Sequence, residues 1–271
     1  MKQRIDEKEF KIISENILSF IKNVFEENNV FYLLSSGTVL GAVRHDGFIP
    51  WDDDIDIYIF RKDVNRVINI FNKLNNRQYK LLYLNCVNYS LPLMKIVDSS
   101  TILYQKGRRR EFPLGVWVDV FILDNLPNDS EKSNKFCKKL ARYQKLWSFA
   151  EYKIQKPKSI KQFIKNGYLS LVSIRGSRYW AIKLDKLAQK YCEEKCDYVS
   201  SLTFTGCNIK REDACFPRAM LEDTILHKFE SGEYPIPKKF DEYLTILYGN
   251  WRELPPIEKR VSRHAIEAYY K

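Results

Sequence analysis

The sequence predicts an α+β protein: a mixed sheet with flanking helices, followed by a mainly helical C-terminal part. Three observations carry this. Helical periodicity and short β-branched runs alternate through the first half of the chain. One such run, 54–60, alternates at period two, with Asp54, Asp56 and Tyr58 on one face and Ile55, Ile57 and Ile59 on the other. After Pro127 the pattern changes to long helical segments. The change divides the chain into a core region, 1–126, and a mainly helical region packed on it, 127–271.

Residues 6–28 read as an amphipathic helix, with Phe10, Ile13, Ile17, Phe20 and Val24 at three- and four-residue steps and a capping-box pattern at Asp6 and Glu9. Residues 30–34 form a buried strand. Ser35-Ser36-Gly37-Thr38 then turns the chain into a short helix, 39–44. A strand, a small-residue turn and a helix start make a seat for phosphate, because the amides point outward and glycine removes the side chain that would block approach. Many such turns bind nothing, so the neighbouring residues must decide. Pro50 blocks further helix. Beyond the strand at 54–60 come a helix, 63–74, and strands at 79–84 and 93–97, with a turn at Asp98-Ser99-Ser100. The strand at 115–123 sets Val116, Val118, Val120 and Ile122 against Trp117, Asp119 and Phe121. Helices follow at 131–150, 159–173 and 178–195. Residues 198–235 read as irregular. A last helix, 240–247, stops at Gly249, and the tail carries Pro255-Pro256 and a basic cluster including Lys259 and Arg260.

The chain has 271 residues, with 16 Phe and 17 Tyr to build a core. Its net charge of +11 points to an anionic partner: a phosphate compound, a membrane surface or nucleic acid. The basic loop Lys106-Gly107-Arg108-Arg109-Arg110 suits either a phosphate-rich substrate or an anionic membrane, and is equally ordinary as a solvated loop. No apolar run reaches the roughly 18–20 residues that cross a bilayer, and the first residues lack an apolar secretory core. A cytosolic protein is expected, held at most to a membrane surface by charge. Four of the six cysteines, Cys192, Cys196, Cys207 and Cys215, lie close in sequence without the spacing of common zinc modules, so buried thiols are favoured over zinc.

Against this basic background stand four carboxylates within five positions: Asp52, Asp53, Asp54 and Asp56. Like charges this close repel, and burial worsens the repulsion. The usual compensation is a divalent cation. Asp54 and Asp56 leave one strand face about 7 Å apart, which suits two carboxylates gripping one or two ions. Asp52 shares their parity if the strand starts early, whereas Asp53 reads as a cap or supporting group. A bare solvated strand face is the alternative, but Asp is depleted in strands. Asp119 is a lone acid in an apolar strand. It is either an edge position or a third carboxylate beside the other two, and as an ion it needs a cation or hydrogen bonds.

Three stretches together resemble the LicD family, which is related to the fukutins and lies within the polymerase-beta-like nucleotidyltransferases. They are Gly37-Thr38-Val39-Leu40-Gly41-Ala42-Val43-Arg44-His45, Gly47-Phe48-Ile49-Pro50-Trp51-Asp52-Asp53-Asp54-Ile55-Asp56-Ile57 and Val118-Asp119-Val120-Phe121-Ile122-Leu123-Asp124. Lys95-Ile96-Val97-Asp98, Tyr248-Gly249-Asn250-Trp251 and Leu254-Pro255-Pro256 extend the likeness. The chain departs from the family in having Ser36 where a glycine often precedes Gly37, and Ile122 where the family has proline.

The resemblance implies a nucleotidyltransferase-like catalytic core at 1–126 and an acceptor side at 127–271. It implies a phosphotransferase moving a phosphorylated alcohol from a nucleotide-diphosphate donor, phosphocholine from CDP-choline above all, to a sugar hydroxyl with release of CMP. Asp54 and Asp56 would hold Mg²⁺ or Mn²⁺, and Asp119 would complete the metal shell or take the proton from the acceptor hydroxyl. Gly37, Thr38 and Arg44 would seat phosphate, and Lys95 would neutralise the leaving CMP. The acceptor would be a glycan or lipid-linked glycan of lipopolysaccharide, teichoic acid or capsule, reached from the cytoplasm or the inner face of the cell membrane. The alternatives are a CDP-ribitol or CDP-glycerol donor, or a nucleotidyltransferase of the same fold. A metal-dependent glycosyltransferase shares the acid-x-acid pattern. A nucleic-acid-binding module would explain the charge but not the acids, so no specific nucleic-acid partner is expected.

Overall fold

The computed structural model describes residues 3–105, 114–152, 154, 156–203, 215–261 and 266–271. The basic loop 106–110 and Cys207 lie outside the described residues. The first half contains β1 (Arg4–Ile5), α1 (Glu7–Glu27), β2 (Tyr32–Leu34), α2 (Ser36–His45), β3 (Asp56–Phe60), α3 (Val64–Lys73), β4 (Tyr79–Leu82), β5 (Met94–Asp98), β6 (Thr101–Gln105) and β7 (Trp117–Leu126). The second contains α4 (Ser130–Glu151), α5 (Ile160–Ser173), α6 (Ser177–Ala188), β8 (Tyr198–Ser200), β9 (Phe216–Pro217), α7 (Arg218–Glu222), β10 (Thr224–Phe229), β11 (Gly232–Pro237), α8 (Phe240–Tyr248) and β12 (Ile266–Tyr270).

The central sheet is mixed, as expected of the α+β class. Its order is β2-β3-β7-β5-β4, with β8 and β9 continuing from the far end of β7. Only β3 and β7 run parallel; the other pairs are antiparallel. α1 starts as its sequence requires: Glu9 N donates to Asp6 Oδ1 at 2.8 Å, and Asp6 N donates to Glu9 Oε2 at 3.2 Å. Its apolar face, including Phe10, Ile17, Leu18, Ile21 and Phe25, is buried in the main core together with Ile57 and Ile59 of β3 and Val118 and Val120 of β7. Burying such side chains stabilises by about 1.5–3 kcal/mol each.

The helical region has a smaller core of its own, in which Leu126, Phe136, Leu140, Leu184 and Tyr191 meet. Arg61, just beyond β3, fastens it to the sheet. Its Nε and Nη2 donate to Asp124 at 2.6 and 3.0 Å, and its Nη1 lies 2.9 Å from Asp185 of α6. Tyr83 donates to the same Asp185 oxygen at 2.6 Å.

The stretch 198–235 is not irregular. Its described residues hold β8, β9, α7 and a β10–β11 hairpin. The hairpin turn places Glu230 at φ 53°, where glycine or asparagine is the usual sign. Pro235 and Pro237 also argue against a strand, but β11 pairs on one side only, so their missing N–H groups cost little. The helix expected over 178–195 ends at Ala188, followed by a single 3₁₀ turn at Gln189–Tyr191. A second sheet, β1-β12-β6, joins segments far apart in sequence and had no local signature.

Candidate active site

Strand register assembles the acids. Asp56 on β3 stands opposite Asp119 on the parallel β7, and Asp119 stands opposite Lys95 on the antiparallel β5. Asp54 lies two residues before the start of β3, so the strand begins later than alternation suggested, yet the carboxylate still reaches the same place. One ligand oxygen from each of Asp54, Asp56 and Asp119 lies within 4.8 Å of the others. Asp52, Asp53 and Asp54 make a second such group, and Asp54 belongs to both. These are the clusters of three or more potential ligands among the described residues, and neither includes a cysteine.

Each acid has a different setting. Asp119 is buried in the middle of the sheet, not at its edge. Trp117 Nε1 donates to its Oδ2 at 2.9 Å, and the Lys95 ammonium donates to its Oδ1. Lys95 is buried as well, with Nζ 4.0 Å from the centre of the Trp117 ring. Asp56 is held by its backbone: its N–H donates to Thr38 Oγ1 at 2.8 Å, and its carbonyl accepts from Ser35 N at 2.9 Å. Its Oδ1 is buried with no hydrogen-bond partner among the described residues. Burial, then the charges of Asp54, Asp119 and Asp52, hold the Asp56 carboxyl well above the usual carboxylate range, and Lys95 offsets only part of this. Two carboxylates about 5 Å apart repel by about 3 kcal/mol at an effective dielectric constant near 20.

Asp52, Asp54 and Asp56 line a cleft of about 660 Å³. Ser36 and Gly37 form one side. Ser36 adopts φ 47°, a left-handed conformation that glycine takes without strain, and its N–H donates to the Tyr243 hydroxyl at 2.8 Å. A Cβ on Gly37 would come within 2.9 Å of Asp52 Oδ2, so glycine is what lets that carboxylate approach the turn. Thr38 is buried and faces Asp56. Arg44 lines the cleft and donates to the Trp251 carbonyl at 2.8 Å. Lys95 and Asp119 lie behind the lining, beneath the acids.

The opposite wall comes from the C-terminal stretch: Tyr248, Asn250, Trp251, Pro255, Pro256 and Lys259. Burial, with the nearby carboxylates among the further causes, pushes the Tyr248 hydroxyl pKa upward. The hairpin pins the loop between α2 and the acids, since Phe48 N donates to Glu230 Oε1 at 2.8 Å. No periodicity or charge pattern identified this wall. Its signals were the short runs Tyr248-Gly249-Asn250-Trp251 and Leu254-Pro255-Pro256.

Residues 29–158 match the family model described as LicD/FKTN/FKRP, nucleotidyltransferase domain. The chain carries a LicD-family domain. It is also similar along nearly its whole length to the lipopolysaccharide cholinephosphotransferase LicD of Haemophilus influenzae, at 28% identity over 269 residues, 97% of each chain. An uncharacterized protein of Rickettsia prowazekii is 37% identical over 87 residues, 30% of this chain and 33% of that protein. Human ribitol 5-phosphate transferase FKRP is 44% identical over 45 residues, 17% of this chain and 9% of FKRP. All five clustered acids, the Gly37 turn, Arg44 and Lys95 fall inside the matched LicD domain. The wall from Tyr248 to Lys259 falls outside it.

The LicD domain's acids fit a divalent cation. Three carboxylates converge, one Asp56 oxygen is buried with no hydrogen-bond partner among the described residues, and the Lys95 ammonium bonds to Asp119. An all-oxygen donor set of this charge suits a hard ion such as Mg²⁺ or Mn²⁺.

Proposed function

We propose that the protein transfers phosphocholine from CDP-choline to a sugar hydroxyl of a cell-surface glycan and releases CMP. The observation that carries this reading is the convergence of Asp54, Asp56 and Asp119 at a cleft whose other wall is basic and aromatic. The end-to-end similarity to a cholinephosphotransferase supports the choice of donor.

Asp54 and Asp56 would hold Mg²⁺ or Mn²⁺, with Asp119 completing the set. Such an ion, when bound, neutralises the diphosphate and polarises the phosphorus under attack. Both Asp119 oxygens already accept hydrogen bonds, so this carboxylate is better fixed as a ligand than poised as a proton acceptor. Lys95 then serves the site by offsetting the carboxylate charge, not by meeting the leaving group. Gly37, Arg44 and Lys259 border the space for the diphosphate, and Thr38 acts through Asp56. The acceptor oxygen bonds to the choline-bearing phosphorus, the bond from that phosphorus to the CMP oxygen breaks, and the hydroxyl proton is released.

Trp51, Tyr248 and Trp251 line the same cleft, and arginines already stack on the two tryptophans: Arg260 lies 5.5 Å from Trp51 and Arg252 lies 4.4 Å from Trp251. These ring faces suit a quaternary ammonium as well. The test is a panel of CDP-choline, CDP-ribitol and CDP-glycerol with Mn²⁺, scoring CMP release with and without glycan. Acceptor-dependent CMP release from CDP-choline alone is the expected result. Preference for CDP-ribitol would move the reading to the FKRP-like reaction, and a product carrying the nucleotide would overturn phosphocholine transfer.

A further inference from the structure

Helix α5 presents an apolar face to solvent. Ile160, Phe163, Ile164, Tyr168, Leu171 and Ile174 recur at three- and four-residue steps through the helix and its C-terminal cap, so they form one continuous stripe. Each is exposed, from 50% for Tyr168 to 81% for Ile160. The opposite side supplies the packing: Leu169 and Val172 are buried. Trp180 Nε1 donates to the Val172 carbonyl at 2.9 Å, and Tyr168, at the edge of the stripe, also meets the Phe149 ring of α4 edge to face at 5.9 Å. The helix is thus fixed to α4 and α6 with its apolar stripe outward. This is the reverse of what an amphipathic helix does when a protein core is its only partner.

Charge identifies the missing partner. From residue 152 to residue 184 the chain has six Lys, two Arg and no Asp or Glu. Lys161 and Lys165 each follow an apolar residue of the stripe by one position, which places them along one flank, and Lys156, Lys158 and Arg175 are exposed at the helix ends. Two copies of this surface facing each other would bring these cations together. An anionic headgroup layer would take the cations while its acyl boundary took the stripe. Lysine stems are long enough to lie along apolar surface with their ammonium groups in the headgroup region.

We propose that the outward face of α5 lies in the plane of an anionic lipid bilayer and is the protein's membrane-docking surface. With 14 residues the helix is about 21 Å long, enough to lie on a membrane and too short to cross one. The assignment does not depend on the reaction proposed above, because the stripe is separate from the acid cluster and its cleft.

Co-sedimentation of the full chain with vesicles tests it. Wild type is expected to bind equimolar phosphatidylcholine–phosphatidylglycerol vesicles and to bind pure phosphatidylcholine far less. The triple variant Phe163→Ser/Ile164→Ser/Leu171→Ser removes only exposed side chains, so its circular dichroism and melting should match wild type. Its affinity for the mixed vesicles should fall at least about tenfold. Lys161→Gln and Lys165→Gln should each weaken binding to the anionic vesicles about fivefold. Failure of wild type to bind the mixed vesicles would overturn the proposal, as would undiminished binding by the triple serine variant. A wild-type dimer in analytical ultracentrifugation that the triple variant dissolves would assign the face to a second copy and overturn it equally.

Discussion

Lys95 stands opposite Asp119 in the antiparallel register of β5 and β7, and its ammonium is hydrogen-bonded to the Asp119 carboxylate. Both side chains are almost wholly buried. Removing the lysine leaves Asp119 uncompensated beside two further acids. Lys95→Met should therefore cost about 3–5 kcal/mol in urea unfolding without divalent ions. Part of that loss should return on adding Mn²⁺. An unchanged midpoint would show that the ammonium is not what the buried acids rely on.

Asp56 makes stability depend on pH and metal together. Its carboxyl is held above its ordinary value of 3.8, chiefly by burial and then by Asp54, Asp119 and Asp52. The folded state therefore binds this proton more tightly than the unfolded chain does. Its favourable contribution is fully present below the ordinary value and is lost as pH rises through the raised one. Without divalent ions, wild type should lose stability relative to Asp56→Asn across that rise. Saturating Mn²⁺ should reverse the trend in wild type and leave Asp56→Asn unmoved. Melting curves at a series of pH values, with and without chelator, measure both effects.

Asp54 belongs to both acidic groups and lines the cleft, so its loss should fall on turnover more than on folding. Asp54→Asn is expected to reduce CMP release from CDP-choline about 10²–10³-fold, the scale of losing one electrostatic stabiliser of a transition state. Retained turnover in a folded variant would remove Asp54 from the proposed ligand set.

Gly37 separates activity from stability. It lies in the first turn of α2, where alanine would favour the helix by up to about 1 kcal/mol. Yet the added Cβ would press on Asp52 Oδ2, the movable end of a side chain. Gly37→Ala should keep or raise the melting temperature while lowering turnover. A fall in both together would mean that the turn itself, not the position of Asp52, had been disturbed.

Arg61 answers Asp124 and Asp185 at the junction of sheet and helices. Burial holds the Asp124 carboxyl pKa above its ordinary value; Arg61 pulls it down only in part, and the charge of Asp185 adds to the rise. Arg61→Leu should cost about 3–5 kcal/mol, because it leaves a wholly buried carboxylate without its cation. Arg61→Leu/Asp124→Leu should lose less than Arg61→Leu alone, and denaturant unfolding of the pair distinguishes the two outcomes.

Much of the site was legible because it is local. The i, i+2 spacing of Asp54 and Asp56 places them together whether the strand begins at 54 or 56, and a glycine between a strand and a helix marks a close approach in either case. The capping box of α1 is likewise a four-residue pattern. What stayed hidden has long-range causes. Glu230 at a left-handed turn position conceals a hairpin held by strand pairing, by the bonds of Glu230 to Asp46 and Phe48, and by the burial of Phe229, Tyr234 and Ile236 in the main core. That the Thr38 hydroxyl accepts from the backbone of Asp56 depends on where β3 lies against α2, eighteen residues away in sequence. That Lys95 bonds to Asp119 follows from the register of β5 on β7, which no local pattern records.

By itself the sequence determined which carboxylates face one way, because a strand's side chains alternate and apolar residues must face the core. Only the tertiary structure decided that Asp56 and Asp119 are opposite each other, that Lys95 bonds to Asp119, and that residues 248–259 close the cleft. Pairing between distant strands depends on how the whole sheet buries its faces, and no stretch of neighbouring residues records that register.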